Sequence, residues 1–103
     1  MKKIGSSNEF VMGKDIPWET VGEGVKRQIL GYDDSLMLVN VKFEEGGVGV
    51  MHQHYHAQVT YVHSGRFKVT IGNETKVLEG GDSFYIPPNV MHGAICLEEG
   101  FLI

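Results

Sequence analysis

The sequence predicts a small, single-domain, all-β fold. Its short apolar runs alternate with polar residues at the two-residue period of a strand, and few of them recur at helical spacing. Fourteen glycines in 103 residues supply the tight turns that such strands need. A chain of this length builds one hydrophobic core, which leaves no room for a second domain.

The strands are predicted from alternation and from the turns that bound them. In the first clear strand every second residue from Met37 to Phe43 is apolar. Gly72-Asn73 is typical of a hairpin turn, and Pro87-Pro88-Asn89 ends a strand because proline cannot donate a ladder hydrogen bond. The predicted strands are, in order, 37–43, 66–71, 75–78, 83–86, 92–97 and 101–103.

The region before these strands carries weaker signals. Pro17 favours a single helical turn through Thr20. We expect residues 1–15 to form a flexible N-terminal arm and residues 16–103 to form the β domain.

Composition excludes several functional classes. Nine Lys and Arg against 13 Asp and Glu give a net charge of −4, so no cationic surplus favours nucleic acid. No apolar run is long enough to span a membrane, and none follows the lysines at positions 2 and 3 as a secretory signal would require. The single cysteine, Cys96, cannot form an internal disulfide and is predicted to be buried. These features predict a cytoplasmic protein.

A histidine cluster is the strongest chemical signal. On a strand, His52, His54 and His56 share one face, and two such imidazoles can reach one metal ion at about 2.0–2.1 Å. Gln58 has the same parity, and His92 begins a later strand just after the proline turn. The candidate metal site is His52, His54, Gln58 and His92. The alternative is a set of solvated surface histidines.

The other two histidines are assigned lesser roles. His56 shares the parity of the candidate ligands, and we expect it to support them or to line the pocket. His63 precedes Ser64-Gly65 and is predicted to be solvated.

The spacing around these residues resembles the two motifs of the cupins, G-x5-HxH-x3-4-E-x6-G and G-x5-PxG-x2-H-x3-N. The first corresponds to residues 46–65 and the second to residues 81–92. The resemblance implies a double-stranded β-helix, a jelly-roll barrel with the metal inside one mouth. Three residues depart from the pattern: Gln58 replaces Glu, Asn89 replaces Gly and Cys96 replaces Asn.

The glutamine has a chemical consequence. Three neutral imidazoles and a neutral amide leave a divalent ion with its full charge, which favours anionic oxygen ligands and Lewis-acid chemistry. We expect one divalent transition metal, with Ni, Zn, Mn, Fe and Cu all open.

Further segments resemble the pectin-degradation cupins of the KdgF type, which share the glutamine ligand. They include Ile16-Pro17-Trp18-Glu19, Leu36-Met37-Leu38-Val39 and the run from Gly81 to Val90. The resemblance implies metal-dependent ring opening, a ketonisation, of 4,5-unsaturated uronate monosaccharides from pectin and alginate. It also implies a small anionic sugar acid as ligand and a homodimer. The alternatives are a non-catalytic metal- or sugar-acid-binding cupin and an iron-dependent cupin dioxygenase.

The proton donor is the open part of this hypothesis. In the resembled family the last strand continues into an Asp-x-Phe segment, so the expected catalytic Asp lies beyond Ile103 and activity is compromised if the chain ends there. Glu98 and Glu99 are the nearest acidic residues, but they precede Gly100 and are predicted to lie in a solvated turn.

Overall fold

Residues 5–103 are described by a computed structural model, and they form eight β-strands and one short 3-10 helix. The helix is Gly13–Asp15. The strands are β1 Glu19–Gly22, β2 Val25–Tyr32, β3 Met37–Phe43, β4 Val48–His52, β5 Gln58–Ile71, β6 Glu74–Glu79, β7 Ser83–Ile86 and β8 His92–Leu102. The all-β prediction is confirmed.

Every strand pair among the described residues is antiparallel. The main order is β1-β2-β3-β8-β5-β6, with β4 paired to β8 and β7 paired to β5. The two longest strands, β5 and β8, each change partners along their length. The start of β5 faces β7 and the start of β8 faces β4, so one end of the molecule gathers the starts of both long strands.

The predicted strands are found, but β5 and β8 are longer than expected. β3 and β7 match the predicted bounds, whereas 92–97 and 101–103 are one strand. Ser64-Gly65 bends β5 without ending it, because Gly65 adopts a φ of 86° and the register shifts around it. The missed strands β1, β2 and β4 lack clear alternation. In β2 one of the buried positions is Gln28, whose polar side chain interrupts the apolar alternation by which a strand is predicted.

The segment before β1 differs from its prediction. The helical turn expected from Pro17 to Thr20 is wrong: the helix lies earlier, at Gly13–Asp15, and Thr20 belongs to β1. The Gln28 amide donates to the carbonyl oxygens of Gly13 and Ile16 at 2.8 and 2.7 Å, which attaches this segment to β2. The first four residues of the predicted arm lie outside the described residues.

The core lies between the two long strands and their neighbours. The rings of Phe43 and Phe67 meet edge to face at 5.1 Å, an arrangement that aromatic pairs favour. The buried apolar members of the core are Val25, Phe43, Val62, Phe67, Val69, Cys96 and Leu102. Burial of Cys96 agrees with its predicted role, and that burial raises the pKa of its thiol.

Residues 5–103 include no helix with the length and apolar character needed to cross a bilayer.

Two glycines allow β5 and β8 to approach closely where both strands bend. A Cβ added at Gly65 would lie 2.6 Å from the carbonyl oxygens of Glu98 and Glu99, and one added at Gly100 would collide with the Ser64 carbonyl. Backbone atoms occupy both spaces, so neither contact can be relieved by a side-chain rotation.

We therefore expect Gly100→Ala to destabilise the protein. Overpacking of this kind costs about 1–3 kcal/mol, which lowers Tm by about 4–20 °C for a domain of this size. Thermal unfolding followed by circular dichroism measures the change. Gly31→Ala is the matched control, since nothing lies within 4 Å of its added Cβ. Equal Tm values for the two variants would contradict the close-packed crossing.

Candidate metal site

Three imidazoles converge at the end of the molecule where β4 ends and β8 begins. The ring centroids of His52 and His92 are 4.2 Å apart, those of His54 and His92 are 4.9 Å apart, and those of His52 and His54 are 5.6 Å apart. One nitrogen from each ring lies within 4.8 Å of the others, so the three can share one ion. His92 is buried and His52 is exposed, which places the cluster at a mouth that is open on the His52 side.

Strand pairing and one loop bring the three residues together. His52 is the register partner of His92 in the β4–β8 ladder. His54 lies in the loop between β4 and β5, so the single strand expected to carry His52, His54 and His56 is wrong beyond His52. The backbone N–H of Asn89 donates to the His54 carbonyl at 2.7 Å. This bond attaches the loop to the turn before β8, and Asn89 adopts the left-handed φ of 63° there.

Each imidazole is oriented by a main-chain carbonyl two residues away. Nδ1 of His52 donates to Val50 at 2.7 Å, Nδ1 of His54 to His56 at 2.7 Å, and Nδ1 of His92 to Val90 at 2.8 Å. A carbonyl oxygen only accepts, so the proton of a neutral ring resides on Nδ1. The lone pair of each ring is then on Nε2, the atom left for a ligand.

The surroundings of the His92 ring indicate whether a metal ion fits the cluster. Its Nε2 is buried and has no hydrogen-bond partner among the described residues. Burial lowers the pKa of His92, the Val90 carbonyl acts in the opposite direction, and charge on His52 and His54 lowers it further. The lowered pKa favours the neutral ring, whose Nε2 lone pair lies near the two other imidazoles. This donor set suits a divalent transition metal.

Gln58 lies at the edge of the cluster, as the sequence predicted. Its Oε1 is 3.0 Å from Nε2 of His54. Its Nε2 donates to Oγ1 of Thr60 at 2.9 Å. Thr60 is a buried polar residue that the sequence analysis missed, although its parity on β5 matches that of Gln58.

The remaining candidates lie outside the cluster. The ring of His56 is exposed and packs on Tyr55 at 3.9 Å, so its contact with the site is through its carbonyl. His63 is exposed on the outward side of β5. Glu98 and Glu99 belong to β8 rather than to a turn. They follow His92 by six and seven residues, about 20 Å along an extended strand, so neither reaches the imidazoles.

Comparison with known proteins places this architecture in a family. The cupin domain model matches residues 39–100. The pectin degradation protein KdgF of Dickeya dadantii (strain 3937) is 40% identical over 95 residues, which cover 91% of this chain and 86% of that protein.

Two solved structures are similar over nearly the whole chain. An RmlC-like cupin from Shewanella frigidimarina NCIMB 400 has 43% identity and a TM-score of 0.92, with 96% of this chain and 89% of that chain covered. KdgF from a Halomonas species has 38% identity and a TM-score of 0.85, with 93% and 88% covered. These likenesses confirm the jelly-roll cupin fold. The chain belongs to the cupin superfamily, within which it is close to KdgF.

Proposed function

We propose that this protein binds one divalent transition metal at His52, His54, His92 and Gln58 and opens the ring of 4,5-unsaturated uronates. The observation that carries the proposal is the convergence of three imidazoles beside a neutral amide oxygen, with Nε2 of His92 buried and without a hydrogen-bond partner among residues 5–103. The likeness to KdgF, described as a pectin degradation protein, supports a uronate as the substrate.

The charge of the donor set favours an anionic ligand. None of the four side chains offsets a positive charge when the imidazoles are neutral, and burial favours the neutral form of His92 by lowering its pKa. When bound, the metal would supply a Lewis-acid centre that attracts and polarises a carboxylate. The open mouth at His52 gives a sugar acid access to that centre.

The reaction is an isomerisation and needs no co-substrate. The bond between C1 and the ring oxygen breaks while the C1 hydroxyl loses its proton and the ring oxygen gains one, which gives an aldehyde at C1 and an enol at C5. A proton then adds to C4 and the enol oxygen loses its own, which gives the ketone. Binding of the substrate carboxylate at the cation site would relieve its repulsion of the negative charge that develops on the ring oxygen, and a general acid would deliver the proton to C4.

The end of the described chain points toward the site. Tyr61 and Ile103 exchange backbone hydrogen bonds of 2.7 and 2.9 Å in an antiparallel arrangement. Continuation in that register would run alongside β5 toward Gln58. A proton-donating Asp on such a continuation, as the family resemblance implies, would approach Gln58, whereas Glu98 and Glu99 are too far along β8.

The proposal predicts metal-dependent turnover. The protein is stripped of metal and then loaded with Ni²⁺, Zn²⁺, Mn²⁺, Fe²⁺ or Cu²⁺. With the loaded protein, the ultraviolet absorbance of an unsaturated uronate should decrease faster than in a protein-free control. His52→Ala should weaken metal binding by at least about 10–100-fold, the loss that changes around metal ligands already cause. His63→Ala, another exposed histidine, is the control and should retain full activity.

Other outcomes would identify the alternatives. Calorimetric binding of the uronate without product would contradict catalysis and favour a sugar-acid-binding cupin. Turnover that requires both Fe²⁺ and oxygen would instead favour a dioxygenase.

Gln58→Glu tests the role of the uncompensated charge. A carboxylate at position 58 should tighten metal binding and weaken uronate binding, each by about tenfold, because a full charge at ligand distance is worth about 1 kcal/mol or more even in water. Isothermal titration calorimetry measures both affinities. Thr20→Glu adds a charge at an exposed residue of β1, away from the cluster, and should change neither. Unaltered uronate affinity in Gln58→Glu would contradict this electrostatic role.

We further propose that the partner of this chain is a second copy of itself. The chain exposes 7181 Å², whereas a compact monomer of 11.4 kDa exposes about 5,800 Å². That excess exceeds the roughly 800 Å² per partner that a stable interface buries.

The hairpin formed by β2 and β3 is the surface proposed for this contact. Between Gln28 and Asn40 its strand pairing, among residues 5–103, is only with itself. Met37 and Leu38 point to opposite faces of the hairpin and both are exposed, so each face has an uncovered apolar side chain near the start of β3.

Light scattering coupled to size exclusion should therefore give about twice the monomer mass of 11.4 kDa. Leu38→Glu should shift the equilibrium to monomers by placing a charge in the interface. Val77→Glu, at an exposed apolar position on β6, is the matched control and should remain a dimer. A monomeric wild-type protein would contradict the proposal.

A further inference from the structure

Thr60 is a buried polar residue directly behind the metal site. It is 6% exposed and lies two residues after Gln58, on the same side of β5. Its Oγ1 accepts a hydrogen bond of 2.9 Å from the side-chain amide of Gln58. The three imidazoles alone do not explain why a polar residue is buried at position 60.

The contact determines which end of the Gln58 amide faces the imidazoles. With Nε2 held by Thr60, Oε1 is 3.0 Å from Nε2 of His54. Nδ1 of His54 donates to the His56 carbonyl, so in the metal-binding form of the ring the lone pair is on Nε2. Two lone pairs therefore face each other, an arrangement that a nearby positive charge stabilises.

The reversed amide would have the opposite effect. Its N–H group would donate to Nε2 of His54, occupying the lone pair that a metal needs and removing the amide oxygen from the site. A metal-binding Gln58 thus requires an acceptor for its amide N–H, since a donor shielded from water and left unpaired is costly. Oγ1 of Thr60 is that acceptor.

We propose that Thr60 is a positioning residue that holds the carbonyl end of Gln58 toward His54 and thereby strengthens metal binding. This inference rests on the metal site of the proposed function. It predicts that Thr60 acts through Gln58 and contributes nothing to metal affinity when the glutamine side chain is absent.

The test is a double-mutant cycle in metal affinity, measured by calorimetric titration of Zn²⁺ into metal-stripped protein. Thr60→Val, nearly isosteric, should weaken Zn²⁺ binding by about 10–100-fold, as is typical of changes in the partners of metal ligands. Thr60→Ser retains the hydroxyl and should bind within about threefold of the wild type. In a Gln58→Ala background, Thr60→Val should cause no additional loss.

Three results would overturn the inference. One is equal Zn²⁺ affinity in Thr60→Val and the wild type, and another is the same loss in the Gln58→Ala background, which would indicate a general structural effect. Absence of Zn²⁺ binding by the wild-type protein would overturn the metal site as well, so the two failures are distinguishable. Thr60→Ala, measured in the same way, replaces Thr60→Val if the latter does not fold.

Discussion

The candidate metal site depends on three main-chain carbonyls, each of which accepts a hydrogen bond from Nδ1 of an imidazole. Val50, His56 and Val90 provide them at 2.7 to 2.8 Å. Because each bond places the proton on Nδ1, three Nε2 lone pairs are left in one small volume. One of them, on His92, is buried and has no hydrogen-bond partner in the described part of the chain, a state that costs about 1–3 kcal/mol unless something occupies the site.

The fold makes this arrangement possible by joining two distant parts of the chain. Antiparallel pairing places His52 opposite His92, and the Asn89 N–H donates to the loop that carries His54. Beneath the site, β5 and β8 pair along most of their length and surround the core that contains Phe67. Gln58 and His92 thus lie on the two strands with the most partners, whereas the exposed His52 ends β4 and His54 lies in the loop that follows.

Much of this could be predicted from sequence, for identifiable reasons. Alternation defined β3 and β7 to the residue, and the spacing of His52, His54, Gln58 and His92 identified the groups that the structure brings together. Strand periodicity did not extend to His54, whose position depends on a loop and on a bond from Asn89 that no local pattern encodes. Gln28 and Thr60 were missed because buried polar residues resemble exposed ones in sequence, and only their partners reveal their roles.

We propose that three imidazoles and one amide oxygen surround a single cation. Anomalous diffraction from crystals of the metal-loaded protein, recorded at the absorption edge of that metal, tests it most directly. We predict one strong peak at about 2.0–2.2 Å from Nε2 of His52, His54 and His92 and from Oε1 of Gln58. A peak elsewhere, ligation through Nδ1, or no peak within the cluster would contradict it.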